Sequence, residues 1–183
     1  MLKVTPLSLP DLLLVEPQVF GDDRGFFLES FNARAFEAAT GLTHQFVQDN
    51  HSSSNKGVLR GLHYQVEHAQ GKLIRVIRGT IFDVAVDVRR SSTTFGHWVG
   101  VELSAQNKKQ LWVPPNFAHG FLVVSDSAEV LYKATDYYAP DHERSIRWDD
   151  PDIGIDWPSL PDGLTLSDKD ANAPLLVDAD LPN

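Results

Sequence analysis

Short runs of β-branched and aromatic residues, each cut off by Gly, Pro, Asn or Asp, recur along this chain and leave little room for helix. That spacing predicts an all-β sandwich or barrel. The strongest pair of runs is Lys72-Leu73-Ile74-Arg75-Val76-Ile77-Arg78 and Ile81-Phe82-Asp83-Val84-Ala85-Val86-Asp87-Val88, joined at Gly79-Thr80. It predicts a hairpin. Period-two alternation in the second run sets Phe82, Val84, Val86 and Val88 on one face and Asp83, Ala85 and Asp87 on the other. Further strands are predicted over residues 46–50, 57–65, 97–103, 110–113, 119–124 and 128–138. One helical stretch is expected over 32–40, with Asn32 as its cap and Gly41 as its stop. From Pro151 onward the chain is rich in Pro, Asp and Gly and predicts an ordered arm over the barrel with short helical turns. With 183 residues and 42% hydrophobic content the chain can bury a substantial core, so one domain over 1–183 is expected, without repeats or linkers.

Composition removes several function classes. No run approaches the roughly 18 apolar residues of a membrane span, and Met1-Leu2-Lys3-Val4-Thr5-Pro6 lacks the apolar core of a signal peptide. A cytoplasmic protein without membrane association is expected. The absence of cysteine rules out disulfides, thiolate metal sites and a cysteine nucleophile. A net charge of −9 argues against nucleic acid as a partner, because such binding rests on clustered Lys and Arg. An anionic ligand therefore needs a local cationic pocket.

Chemistry concentrates in Gly57-Val58-Leu59-Arg60-Gly61-Leu62-His63-Tyr64-Gln65. A histidine moves protons near neutral pH, and an arginine offers a bidentate site for phosphate or carboxylate. Together they suggest acid/base work on an anionic substrate; a satisfied core histidine and a surface arginine remain the alternative. Strict alternation puts Arg60 and His63 on opposite faces, so both serve one site only if Gly61 or its neighbours bulge the strand. A second segment, Val113-Pro114-Pro115-Asn116-Phe117-Ala118-His119-Gly120-Phe121, stands where a cupin-type barrel carries its second motif. The metal-ligand pattern of that barrel is missing: Gln65 follows His63, and Lys72 stands where an acidic ligand is expected. A lysine ammonium there disfavours a divalent ion, so no catalytic metal is expected. His68, in a polar loop, reads as an exposed loop histidine.

Several blocks in order then identify a family resemblance: Asp23-Arg24-Gly25-Phe26-Phe27-Leu28-Glu29, Gln48-Asp49-Asn50-His51-Ser52, GVLRGLHYQ, QGKLIRVIRGTIFDVAVDVR, WVPPNFAHGF, LYKATDYYAPDHERSIRWDDPDIGIDWP and Leu166-Ser167-Asp168-Lys169-Asp170. Over nearly its whole length the chain resembles the dTDP-4-dehydrorhamnose 3,5-epimerases, dTDP-sugar epimerases of the cupin type. The resemblance implies a jelly-roll barrel with short peripheral helices. The implied reaction converts dTDP-4-keto-6-deoxy-D-glucose to dTDP-4-keto-L-rhamnose through enolates, without cofactor. It also implies a homodimer in which an N-terminal segment reaches the neighbouring site.

By this resemblance His63 is the base at C3 and C5, Asp170 orients and stabilises its ring, Lys72 stabilises the enolate oxygen, and Tyr132 returns a proton from the opposite face. On composition alone Asp170 is an exposed helix-cap aspartate, Lys72 a solvated lysine at a strand start, and Tyr132 a core tyrosine. Asp83 pairs with Lys72 or the His63 network, or is an ordinary surface aspartate. Arg24, Arg60 and Lys169 match nucleotide-holding positions, with Arg60 expected on the diphosphate. Gln48 and Asn50 match residues of the phosphate or base region, and Phe27 and Glu29 match the segment lent by the neighbour. Tyr138 is expected to stack on the thymine, sharing a strand face with Tyr132, while His119 and Glu143 also match ligand positions. Epimerisation at C3 or C5 alone, a ketoisomerase and a non-catalytic nucleotide-sugar-binding cupin are the alternatives.

Overall fold

A computed structural model describes residues 2–182. In chain order its strands are β1 (Lys3–Pro6), β2 (Leu13–Glu16), β3 (Val19–Asp22), β4 (Gly25–Leu28), β5 (Gln48–Asn55), β6 (Leu59–Gln65), β7 (Lys72–Arg78), β8 (Thr80–Asp87), β9 (Trp98–Ser104), β10 (Gln110–Val113), β11 (Phe117–Val123), β12 (Ser127–Ala134) and β13 (Glu143–Ser145). Two short helices, α1 (Ala33–Thr40) and α2 (Asp168–Ala171), accompany them. The strands pair antiparallel in a six-stranded sheet ordered β1-β2-β10-β7-β12-β5 and a five-stranded sheet ordered β13-β6-β11-β8-β9. β3 and β4 form a separate hairpin. The strand spacing predicted a sandwich or barrel, and the fold is the cupin-type jelly roll that the resemblance implied.

Inward residues of both sheets, among them Ile74, Val76, Ile81, Leu111, Phe121, Val123 and Val130, form one core between the layers. The outer face of the five-stranded sheet presents Leu62, Tyr64, Val84, Val86 and Val88 to the C-terminal arm, which covers them with Ile153, Trp157, Leu176, Ala179 and Leu181. α1 begins at Asn32, whose side chain accepts from Ala35 N–H, and stops at Gly41 with φ 73°, as its end residues predicted. Its Phe36 packs on Val15, Leu73 and Trp112 across the outside of the six-stranded sheet.

Two expectations are corrected. β7 and β8 form, but they do not pair with each other: β7 lies between β10 and β12, and β8 between β11 and β9. The Gly79 link is therefore a corner between sheets, where φ is 73° and an added Cβ would meet the Ser127 carbonyl oxygen at 1.9 Å. Alternation specifies which face a residue takes and says nothing about which strand lies beside it. Second, the strand expected over 128–138 ends at Ala134, so Tyr138 lies in the following loop and not on the strand of Tyr132.

Candidate active site

The alternation in β8 separates the faces as expected, and its acidic face is the barrel interior, so of the readings open for Asp83 the ordinary surface aspartate is removed. Asp83 and Asp87 are fully buried. Lys72 shares a face with the core residues Ile74 and Val76 on β7, and Tyr132 packs against the same core from β12. From the opposite sheet come His63 on β6, Asp83 on β8 and His119 on β11. An open cleft is lined by His63, Gln65, Lys72, Tyr132, Tyr138 and Glu143, together with Tyr64, Gln70, Asn116 and Phe117.

A bulge settles the parity conflict at Arg60 and His63. His119 lies opposite His63 and Phe121 opposite Arg60, so three residue steps on β6 span two on β11. Directly opposed residues share a face, and His119 and Phe121 share theirs, so the extra residue puts Arg60 and His63 on the same side. Two glycines permit the close approach there: a Cβ on Gly61, where φ is 120°, would lie 2.6 Å from Gly120 Cα, and one on Gly120 would lie 2.7 Å from the Arg60 carbonyl oxygen. Arg60 Nε reaches across to donate to Ser54 Oγ of β5 at 3.0 Å.

His63 Nε2 lies 2.6 Å from Asp170 Oδ1, although 107 positions separate the two in the chain. The C-terminal arm makes this contact by binding alongside the start of β6: Leu59 N–H donates to the Thr165 carbonyl at 3.0 Å and Thr165 N–H to that of Gly57 at 2.8 Å. Ser167 then caps α2 by accepting from Asp170 N–H. Asp170 is 3% exposed, so it is no surface cap. Burial pushes its pKa up, but hydrogen bonds from His63, Ser167 and the Gly61 N–H outweigh this and hold it below the ordinary aspartate value. With Nε2 held by the carboxylate, Nδ1 is the nitrogen left to accept a proton.

The remaining groups have complementary electrostatics. Burial pulls the Lys72 ammonium down to about 8, partly opposed by the charges of Glu143 and Asp83. The Tyr132 phenol is pushed up, first by burial and then by the Glu143 charge, with Arg60 acting against both, so it keeps its proton at neutral pH. His119 Nε2 and Asp83 Oδ1 form a second buried pair at 2.8 Å, while Asp83 Oδ2 has no hydrogen-bond partner. Glu143 accepts from Tyr138 Oη at 3.0 Å and pairs with Lys169. Burial raises its pKa, but those two bonds and the His63 charge bring it below the usual value. Gln48 Nε2 donates to Asn50 Oδ1, and Gln48 Oε1 accepts from Tyr138 N–H, so β5 is tied to the loop carrying Tyr138.

Three of the expected residues do not join this cluster within the chain. Arg24 is exposed and folds back on Asp22 in the β3–β4 hairpin, Phe27 is 69% exposed, and Glu29 lies in the open beyond β4. One residue not anticipated is Gln65, whose buried amide donates to the carbonyls of His68 and Tyr137 and accepts from Ala139 N–H, holding two rim loops together. Ser167 is another, and its Ser-x-x-Asp spacing to Asp170 is a legible capping signal.

The family model described as dTDP-4-dehydrorhamnose 3,5-epimerase matches residues 6–178. A protein of that name from Pseudomonas aeruginosa is 61% identical over 179 residues, covering 98% of each chain. The solved dTDP-6-deoxy-D-glucose-3,5-epimerase of Legionella pneumophila, in complex with dTDP-4-keto-L-rhamnose, superposes with a TM-score of 0.97 at 52% identity, covering 100% of this chain and 98% of that one. A 3'-monoepimerase from Streptomyces bikiniensis, in complex with dTDP-quinovose, superposes at 0.86 with 38% identity, covering 94% and 87%. On the strength of these matches the chain belongs to the dTDP-4-dehydrorhamnose 3,5-epimerase family, whose members are isomerases.

Proposed function

We propose that this chain converts dTDP-4-keto-6-deoxy-D-glucose to dTDP-4-keto-L-rhamnose by removing and replacing protons at C3 and C5. The observation that carries the reading is the division of labour between the sheets: the His63–Asp170 pair comes from one side of the cavity, and Tyr132 and Lys72 from the other. A flat ketose between them meets a base on one face and a proton donor on the other, which inversion requires. His63 takes the proton from a carbon beside the ketone, the electrons move onto the C4 oxygen, and Lys72 stabilises that oxyanion. Asp170 stabilises the imidazolium that forms, as in other His–Asp pairs. Tyr132, protonated at neutral pH, delivers a proton to the opposite face of the enolate, and the ketone is restored. These side chains supply base, acid and cation between them, so the chemistry asks for no cofactor.

Arg60 and Lys169 hold the diphosphate, with Gln48 and Asn50 beside it, while Tyr138 stacks on the base and His119 and Glu143 contact the sugar. Arg24, Phe27 and Glu29 complete the nucleotide site of a second copy. The β3–β4 hairpin stands apart from both sheets and exposes Phe20, Phe26 and Phe27, which suits an arm of a homodimer. A cytoplasmic location goes with this reading; no described helix is long and apolar enough to cross a membrane. The likeness to a 3'-monoepimerase keeps single-position epimerisation as the second reading.

Proton NMR of dTDP-4-keto-6-deoxy-D-glucose with the protein in deuterium oxide decides between them. Deuterium at both C3 and C5, with the L-product trapped by a reductase, is the expected result. Deuterium at one carbon selects the single epimerase, and none with intact binding overturns the reading.

A further inference from the structure

Outside the barrel interior, the loop after β6 and the 3₁₀ turn Pro140–His142 before β13 bring Glu67, His68 and His142 together, with one ligand atom of each within 4.8 Å of the others. His142 Nδ1 lies 3.8 Å from Glu67 Oε2, and the His68 and His142 rings meet edge to face with centroids 5.6 Å apart. Asp136 adds a carboxylate 3.6 Å from His68 Nδ1. The side chains of Glu67 and His68 are 71% and 57% exposed, so burial of apolar surface does not account for the gathering.

The Gln65 side chain and one backbone bond hold it instead. The Gln65 amide donates to the His68 carbonyl at 2.7 Å and to that of Tyr137 at 3.3 Å, and accepts from Ala139 N–H. Val66 N–H donates to the His142 carbonyl at 3.0 Å. His68 is kept in the left-handed region, at φ 55°, from which its ring turns toward His142.

We propose that Glu67, His68 and His142 bind a divalent transition-metal ion, Zn²⁺ being the best match, as a clasp across the rim of the active-site cavity. Two imidazoles and a carboxylate, with water in a fourth position, form a donor set that zinc accepts, whereas Ca²⁺ and Mg²⁺ prefer oxygen alone. Bonds of about 2.0–2.2 Å put tetrahedral ligand atoms about 3.3–3.6 Å apart, so the widest pair closes by at most about 1.5 Å, within reach of exposed side-chain rotation. The ion takes no part in proton transfer. It joins the loop leading to Lys72 to the segment leading to Glu143, with Tyr138 between Asp136 and His142, so its binding stiffens the wall through which a ligand enters.

The test is titration of Zn²⁺ into the metal-stripped full chain at pH 7.5, by calorimetry and by competition with a chromophoric chelator. One saturable equivalent per chain and a rise in melting temperature are expected. His68→Asn and His142→Gln should each weaken binding at least about tenfold, since even partners outside a ligand set are worth about 10–100-fold. Asn tolerates the left-handed backbone, and circular dichroism checks that both variants fold. His63→Asn should keep the equivalent. The proposal is overturned if the wild type shows no saturable binding below millimolar Zn²⁺. It is equally overturned if His68→Asn/His142→Gln binds as the wild type does, or if the equivalent disappears in His63→Asn.

Discussion

Replacing Lys72 by Met should make this protein more stable while removing its activity. Lys72 projects into the interior, and burial lowers its pKa from 10.5 to about 8 even with Glu143 and Asp83 nearby. A lysine charged in both states below pH 8 therefore costs the fold about 3 kcal/mol, from 2.5 units at about 1.36 kcal/mol each. Residual solvent contact at the cavity mouth reduces this to about 2 kcal/mol. The sign follows from proton binding. The folded pKa is depressed, so the unfolded chain binds more protons between pH 8 and 10.5, and wild-type stability rises relative to the variant across that window. Met has similar length and no charge, so it relieves the penalty at neutral pH. Chemical denaturation at pH 7 should show Lys72→Met more stable by about 2 kcal/mol, or about 4–8 °C in melting temperature for a chain of this size. The advantage should shrink toward pH 9.5. Turnover in a reductase-coupled assay should fall about 10²–10³-fold, the usual worth of one oxyanion-stabilising group. Wild-type turnover should itself decline as pH rises through 8. A variant less stable than the wild type at pH 7, or an advantage that does not change with pH, would refute the reasoning.

Other consequences are equally direct. Asp170→Asn removes a charge-assisted bond worth about 1.5–3 kcal/mol when His63 is protonated, so kcat should drop about 10–150-fold with the fold intact; a change under threefold would remove Asp170 from the dyad. Tyr132→Phe should still exchange substrate protons with deuterium oxide while losing about a hundredfold or more in completed inversion; normal product formation would assign the acid elsewhere. Asp87 is buried against Arg89, Ser92 and Thr94: burial raises its pKa, but their hydrogen bonds bring it down to about 2. Its stabilising contribution is thus complete above the unfolded value near 4 and lost as pH falls toward 2. Asp87→Asn should cost roughly 2 kcal/mol at pH 7 and little at pH 2, measured by denaturant titration. Gly61→Ala would press a methyl group within 2.6 Å of Gly120 Cα and should cost about 3 kcal/mol or more; unchanged thermal stability would mean the two strands separate easily.

Period-two alternation and β-branched runs were enough to locate most strands of the two sheets, because each such run has one face that must leave water. Asn32 and Gly41 bounded α1 for a similarly local reason: cap and stop act on the nearest turn. The first four strands went unread, since they are four residues each and β3 and β4 are solvent-exposed throughout except for the half-buried Leu28. In the site, only His63 stood out as an acid/base candidate from its own segment, beside the alternative of a satisfied core histidine. Lys72, Tyr132 and Asp170 were raised above ordinary structural roles only by the resemblance.

What the chain could not show locally is adjacency. Gly79-Thr80 reads as a hairpin turn and is a corner between sheets, because partner choice is settled by the whole barrel. Alternation left the acidic face of β8 open between surface and site, and the structure makes it the interior, because the C-terminal arm covers the apolar face. Asp170 meets His63 across 107 residues only because Thr165 binds beside β6. Arg60 and His63 share a side only because Gly61 and Gly120 let β6 bulge against β11. Side-chain type and period determine which chemistry is available and which face each residue takes; closure of the two sheets alone decides which of those faces meet.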